Sequence, residues 1–238
     1  MAILNIKLIK KEEVAEGTMA FHFEKPLGFD FRAGQFGDFT LINPSETDEE
    51  GNTRGFSLAQ APGEQNLMIA TRMRDTAFKR SLKNMVLGTE VKLDGPYGDF
   101  VLHKTVTTPA VFLTGGIGIT TVRSIIAQAT KDKLPHNITL FYSNKALKDT
   151  AFFEDLKSFA IENPHFTFVP VMTRTTPVEW GGESGHVTYE MLTKYLKDLV
   201  TPIYYLSGPA SMVKAMRQIL IDAHVNEDNI RTEEYSGY

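Results

Sequence analysis

The texture of the chain changes once, near residue 105, and that change limits the folds open to it. Up to that point short runs alternate apolar and polar residues, as in Phe21-His22-Phe23-Glu24 and Phe36-Gly37-Asp38-Phe39-Thr40-Leu41. In Leu67–Met73 the odd positions suit a core and Arg72 points to the other face. A period of two sends successive side chains to opposite faces, the mark of half-buried strands. One helical stretch interrupts them: Phe78, Leu82, Met85 and Val86 recur at helical spacing behind the cap candidates Asp75 and Thr76. Five or six short strands and one helix predict a small antiparallel barrel. From Ala110 the rhythm becomes strand, helix, strand, helix. Ala110-Val111-Phe112-Leu113, Ile138–Tyr142, Phe166–Met172, Ile203–Leu206 and Ile230–Tyr235 read as five strands. Between them Val122–Ala129, Phe152–Phe159, Met191–Leu199 and Met212–Ala223 carry helical periodicity. Such alternation predicts a doubly wound parallel sheet, which binds ligands at the carboxyl ends of its strands. The two textures predict two domains, 1–105 and 106–238.

Composition narrows the function classes. A net charge of -4 and a pI near 5.9 lack the basic excess of a nucleic-acid or membrane-surface binder. No apolar run approaches the ~20 residues of a membrane span. The first residues alternate like a strand and lack the apolar core of a signal peptide, so a cytoplasmic location is expected. With no cysteine, the chain can hold neither a disulfide, a thiolate zinc site nor an iron–sulfur cluster. The six histidines show no ligand spacing, and no metal site is expected.

Three turns carry chemical promise. Gly115-Gly116-Ile117-Gly118-Ile119-Thr120 follows a buried strand and opens a helix, where bare backbone N–H groups and the helix dipole favour a phosphate. Ser207-Gly208-Pro209-Ala210-Ser211-Met212 repeats that context in the same sheet; Pro near a helix start is also ordinary architecture. Arg54-Gly55-Phe56-Ser57 places a guanidinium, an aromatic ring and a hydroxyl on one barrel strand. These suit a pyrophosphate, a flat ring and a ring nitrogen, or simply an exposed Arg before a core Phe. Lys79, Arg80 and Ser81 complete a phosphate clamp or form a solvated basic face. The acidic segment Ser45–Thr53 reads as a solvated hairpin loop.

Together with Gly34-Gln35, Gly95-Pro96-Tyr97-Gly98-Asp99-Phe100 and the terminal Glu233-Glu234-Tyr235-Ser236-Gly237-Tyr238, these motifs stand in the order seen in the ferredoxin–NADP reductase family. The chain resembles a single-chain bacterial member of that family over essentially its whole length. The resemblance implies a six-stranded antiparallel Greek-key barrel that binds FAD, followed by a five-stranded α/β domain that binds NADPH or NADH. It implies that Arg54 holds the FAD pyrophosphate, with Gly55 in the same motif, that Phe56 packs on the flavin and that Ser57 lies near flavin N5. Arg72, Phe78 and Lys79 would add flavin and phosphate contacts. Gly115, Gly116, Gly118 and Thr120 would line the nicotinamide nucleotide's pyrophosphate path, and Gly208, Pro209 and Met212 its nicotinamide side. Tyr235 resembles the aromatic that shields the flavin, with Tyr238 as the alternative, and Glu233 the neighbouring acid. Ser143-Asn144-Lys145 after the second strand and Arg174 after the third could meet a 2′-phosphate, or Lys145 and Arg174 are ordinary surface charges.

Three positions depart from the family pattern. Thr121 stands where the family's glycine turn continues with Pro; since Pro there only presets φ, Thr is expected to cost little beyond rigidity. Ser207 replaces a Cys beside the hydride-transfer centre, and the chain runs past Tyr235 by three residues. The function implied is hydride transfer from NAD(P)H to FAD N5, with Ser57, Ser207, Glu233 and Tyr235 as the catalytic set. Electrons would then pass to a separate acceptor: a ferredoxin, a flavodoxin, an oxygenase or haem partner, or a small molecule. Arg72, Arg74, Lys79, Arg80 and Lys83 are candidates for docking an acidic carrier. Two alternatives share the fold: a free-flavin reductase, and an electron-transfer subunit without independent activity.

Overall fold

A computed structural model describes residues 3–174 and 180–235. The front half contains β1 (Leu4–Ala15), β2 (Thr18–Glu24), β3 (Phe36–Leu41), β4 (Thr53–Ser57), β5 (Asn66–Arg72), α1 (Ala77–Asn84) and β6 (Glu90–Tyr97). All six strands pair antiparallel, in the order β4-β3-β6-β1-β2-β5. Inserting β6 between β3 and β1 is the Greek-key exchange. The residues just after β4 bring the sheet's two edges together, where the Ala59 N–H donates to the Met68 carbonyl at 2.8 Å. The inward residues Ile6, Leu8, Phe21, Phe23, Phe39, Val91 and Leu93 fill the barrel, and Phe78 and Leu82 of α1 cap its core. Thr76 is the N-cap of α1, its hydroxyl accepting from the Lys79 N–H at 3.3 Å.

The rear half runs β7 (Ala110–Gly115), α2 (Ile119–Lys131), β8 (Ile138–Asn144), α3 (Phe153–Glu162), β9 (Phe166–Met172) and β10 (Glu183–Ser184). It continues through α4 (Tyr189–Tyr195), β11 (Ile203–Pro209), α5 (Ala210–Asp222) and β12 (Ile230–Tyr235). Every pair in this sheet is parallel, in the order β10-β9-β8-β7-β11-β12. The five strands expected are present, and the two-residue β10, too short to leave a periodic signature, adds a sixth at the edge. β7 explains the continuous apolar run: Ala110 and Phe112 face one core, Val111 and Leu113 the other. The helix expected to reach Leu199 stops at Tyr195. Leu199 is still buried, but Asp198 turns its carboxylate onto the Val200 N–H (2.8 Å) and holds a turn in place of the last helical residues. No helix among the described residues is long and apolar enough to cross a membrane.

One apolar cluster joins the halves, packing Ala20, Ala59, Met68 and Ala70 against Ile119, Val122, Ile125 and Ile126 of α2. Two polar ties flank it. Arg123 donates to the Ala59 carbonyl at 2.9 Å and pairs with Asp155 at 2.7 Å, and the Ser124 hydroxyl donates to the Gln60 carbonyl. Gly34 lies where the barrel meets the linker: at φ +101°, a side chain there would overlap the Phe100 carbonyl. Its neighbour Gln35 donates to the Gly98 carbonyl at 3.0 Å, so the Gly34-Gln35 pair fixes the entry to the rear half.

Candidate active site

Two clefts meet where the halves join. The front one, about 690 Å³, is lined by Arg54, Gly55, Phe56 and Ser57 from β4, by Arg72 and Arg74 after β5, and by Thr76, Phe78 and Lys79 at the start of α1. Glu233 and Tyr235 close it from the last strand. The rear one, about 550 Å³, collects residues from four strand ends: Gly115 and Gly116 after β7, Ser143–Lys145 after β8, Thr173 after β9, and Pro209, Ser211 and Met212 after β11. These are the carboxyl ends at which doubly wound sheets take ligands. Arg72 lines both clefts, and the glycine turn divides them, with Gly115 and Gly116 on one side and Ile117 and Thr120 on the other.

The front cleft is built for an anion. Burial, then the neighbouring Arg74 and Arg54, hold the Lys79 ammonium below its ordinary range. A diphosphate placed there would relieve that crowding of positive charge, so the residues present fit an adenylated flavin. The Arg54 guanidinium lies over the Phe78 ring, 5.2 Å from its centroid. Phe78 itself is 2% exposed, so it belongs to the core and acts as a platform for Arg54 more than as a ligand contact. Phe56 packs edge-on against Phe39 at 5.9 Å and tilted against Phe78 at 5.8 Å, which stiffens the cleft wall.

Several expectations need correction. The acidic segment is more than a solvated loop. Glu50 pairs with Arg54 at 2.9 Å, Asp48 takes both Arg54 and the Ala77 N–H (3.3 and 3.2 Å), and Glu46 holds Arg80. Arg80, bound also to Asp75, is thereby drawn off the cleft, which breaks up the basic cluster expected to dock a carrier: Arg72, Arg74 and Lys79 line the cleft and Arg80 does not. Ser207 is fully buried, its hydroxyl donating to the Gly118 carbonyl at 2.9 Å, and it lines neither cleft. A side chain smaller than the family's thiol turns inward to a backbone acceptor, so Ser207 has no catalytic reach. Gly118 also serves packing: a Cβ would sit 2.5 Å from the Ser207 carbonyl oxygen. Thr120 faces the front cleft, its hydroxyl donating to the Ile117 carbonyl at 2.9 Å, and not the rear pyrophosphate path.

The rear cleft gathers other residues named from the sequence. Gly115, Gly116, Pro209 and Met212 line it and Gly208 adjoins it; Lys145 is on its wall, and the Arg174 N–H donates to the Lys145 carbonyl at 3.0 Å. Asn144, expected with Ser143 and Lys145 to meet a 2′-phosphate, lines this cleft while 5% exposed, with neither side-chain polar atom hydrogen-bonded among the described residues. A buried amide without partners is costly unless a ligand completes it, so the cleft fits a polar nucleotide. Tyr238, the alternative shield, lies outside the described residues.

Where the front cleft reaches the glycine turn, four side chains close on one another. The Tyr235 hydroxyl is 2.7 Å from Ser57 Oγ, 2.6 Å from Thr121 Oγ1 and 3.0 Å from Glu233 Oε2. Thr121 Oγ1 lies 2.8 Å from both Ser57 Oγ and Glu233 Oε2. Burial pushes the Glu233 carboxyl above its ordinary value despite the hydroxyls of Thr121 and Tyr235, and burial and the Glu233 charge push the Tyr235 phenol up. Thr121, on sequence grounds only a replacement for a turn proline, is the centre of this cluster. The departure from pattern was itself the available signal.

Residues 112–218 match the model of the oxidoreductase NAD-binding domain family. The whole chain superposes on a ferredoxin NADP+ reductase from Neisseria gonorrhoeae solved with bound FAD and NADP (TM-score 0.79, 22% identity, 98% of each chain). It also superposes on the flavohem-like FAD/NAD binding domain of nitric oxide dioxygenase from Vibrio cholerae (TM-score 0.84, 18% identity, 97% of this chain and 98% of that one). The fold is that of the ferredoxin–NADP reductases. Among curated proteins, a subunit of the Na(+)-translocating NADH-quinone reductase of Serratia proteamaculans is 27% identical over 220 residues, 86% of this chain and 54% of that protein. The chain spans about half the length of the curated relatives it matches. The rear half thus resembles oxidoreductase NAD-binding domains in sequence, and the fold is the one that the order of the motifs implied.

Proposed function

We propose that the chain is an NAD(P)H-dependent flavoprotein reductase, with FAD in the front cleft and the nicotinamide nucleotide in the rear one. The observation that carries this reading is the junction: two clefts of nucleotide size share Arg72 and are parted only by the glycine turn. The division between domains falls in the linker near residue 105. FAD supplies what no side chain here can, acceptance of a hydride from a nicotinamide and release of electrons one at a time.

The protein's own part is positional. Arg54, Arg74, Lys79 and the first turn of α1 hold the diphosphate; for this Glu50 and Asp48 must share Arg54 with it or yield. Phe56 and Tyr235 bound the flat ring, and Ser57 presents its hydroxyl at the ring's inner edge. Pro209, Met212 and the Gly115-Gly116 backbone steer the nicotinamide to the same place, and Arg72 spans both ligands. Holding two reactants in register in this way supplies up to ~7–11 kcal/mol of barrier reduction.

The relatives' name supports NADH as donor, while Lys145 beside Arg174 supports a 2′-phosphate; kcat/KM for the two nucleotides decides, and a strong NADH preference ends the phosphate role of this pair. The likeness to one component of a quinone reductase favours a second reading, in which the acceptor belongs to a larger assembly and not to a diffusing ferredoxin. Purified protein that holds FAD through gel filtration and reduces ferricyanide with NAD(P)H supports an independent reductase. Bound flavin without that activity supports the second reading, and a chain that loses its flavin but reduces added flavin is a free-flavin reductase.

A further inference from the structure

Arg54 is almost fully engaged by the acidic loop that precedes it. Its Nη1 donates toward the carbonyls of Glu50 (2.9 Å), Gly51 (2.9 Å) and Thr53 (2.8 Å). Its Nη2 meets Glu50 Oε2 at 2.9 Å and Asp48 Oδ1 at 3.3 Å. Every N–H group of these two nitrogens thus has an acceptor, and only Nε–H is left without one among the described residues. A diphosphate that takes a two-pronged hold on Arg54 must therefore replace one of these acceptors.

The two acids are unequal candidates. Glu50 lines the front cleft beside Arg54, and Asp48 does not. The Glu50 side chain is 74% exposed and its carboxylate meets Arg54 alone among the described residues. An exposed ion pair of this kind contributes little, so a phosphate displaces it readily. Asp48 is 33% exposed and gathers three donors: Arg54, the Glu50 N–H at 3.1 Å and the Ala77 N–H at 3.2 Å. Two of those are backbone groups, and stripping a carboxylate from them leaves both unpaired. Asp48 thereby ties Arg54 of β4 to the first residue of α1, while Glu46 on Arg80 fastens the start of the loop to the same helix. Glu50 is also the acid whose charge eases the crowding of cations at Lys79, a part that a phosphate would take over.

We propose that these two acids act on diphosphate binding in opposite senses. Asp48 is a positioning residue that holds Arg54 and the first turn of α1 in register. Glu50 is a competitor that keeps the Arg54 charge occupied until a diphosphate replaces it. This rests on the flavin reading of the front cleft and decides which acid yields there.

Glu50→Gln and Asp48→Asn each remove one negative charge near the cleft, so general repulsion predicts the same sign for both. Titration of the flavin-free protein with FAD, followed by quenching of flavin fluorescence, separates the two cases. Glu50→Gln is expected to tighten FAD binding about fivefold. Asp48→Asn is expected to loosen it about tenfold, because its Nδ2 can only donate and faces a former donor. In an Arg54→Ala background the Glu50→Gln gain should vanish and the Asp48→Asn loss should shrink. Nucleotide binding in the rear cleft should hold in every variant. An unchanged or weaker FAD affinity in Glu50→Gln overturns the proposal by itself, and so does tighter binding in Asp48→Asn; the flavin reading survives either result. A wild-type chain that binds no FAD overturns both.

Discussion

The two clefts are of similar size and differ in the balance of charge and apolar surface. Four cations, Arg54, Arg72, Arg74 and Lys79, line the front cleft beside the acids Glu50, Glu233 and Glu234, whereas Val187, Pro209, Met212, Ala215, Met216 and Ile219 form an apolar wall in the rear one, with Arg72, Lys145 and His186 among its polar lining. Charge-assisted hydrogen bonds are strong and directional, so the front cleft suits a ligand that stays. A mostly apolar wall with a few polar groups at its rim suits one that comes and goes with each turnover. Under the proposed function the difference is a division of labour, in which the barrel retains its ligand and the parallel sheet exchanges its own. It also accounts for the glycine turn, which must be thin enough for two ligands to meet across it.

The largest effect is expected at the front. Arg54→Ala removes a guanidinium whose hydrogen bonds to a charged partner are worth about 1.5–3 kcal/mol each, so flavin retained through gel filtration should fall at least tenfold while nucleotide binding to the rear cleft holds. Unchanged flavin content would erase the contrast between the clefts. Gly118→Ala comes next. Its Cβ would meet the Ser207 carbonyl at 2.5 Å and the Gly208 nitrogen at 2.8 Å, and overpacking of this kind costs about 1–3 kcal/mol. Unfolding by urea should show that loss, and KM for NAD(P)H should rise as β11 shifts.

Ser207→Ala sharpens the comparison from the other side. It deletes one buried hydrogen bond, about 1 kcal/mol of stability, and should leave kcat nearly intact. A large fall in kcat would return Ser207 to the reacting atoms. The smallest effect is on pH dependence. Burial raises the folded-state pKa of Glu233 above its unfolded value of about 4.3, so its stabilising contribution is complete below that value and is lost as pH rises through the folded-state pKa. Urea midpoints of the apoprotein across this range should fall with rising pH in the wild type and flatten in Glu233→Gln; parallel curves would mean that Glu233 is solvated.

Much of this was legible in the sequence because period and punctuation are local. The two textures marked out the sheets, and the runs after Ala110 and Ile138 located β7 and β8 within a residue or two. The glycines at 115 and 116 marked a cleft because only a strand-to-helix turn puts them there. What escaped depends on distant partners. Asp48 and Glu50 look solvated until β4 brings Arg54 beneath them. Ser207 looks catalytic until the chain folds Gly118 against it. Thr121 looks like a missing proline until β12 delivers Glu233 and Tyr235 from more than a hundred residues away. Long-range closure of this kind leaves no trace in spacing, which is why the motif residues were found and the group joining them was not.

Everything proposed for this chain requires the two clefts to hold a resident flavin and a visiting nicotinamide within reach of each other. Anaerobic titration of the purified, FAD-loaded chain with NADH or NADPH, followed through the flavin's visible absorption, tests it most directly. One equivalent of reduced nucleotide is expected to bleach the bound flavin with both ligands on the protein. A chain that takes up no FAD, or a bound flavin that neither nucleotide can bleach, would contradict it.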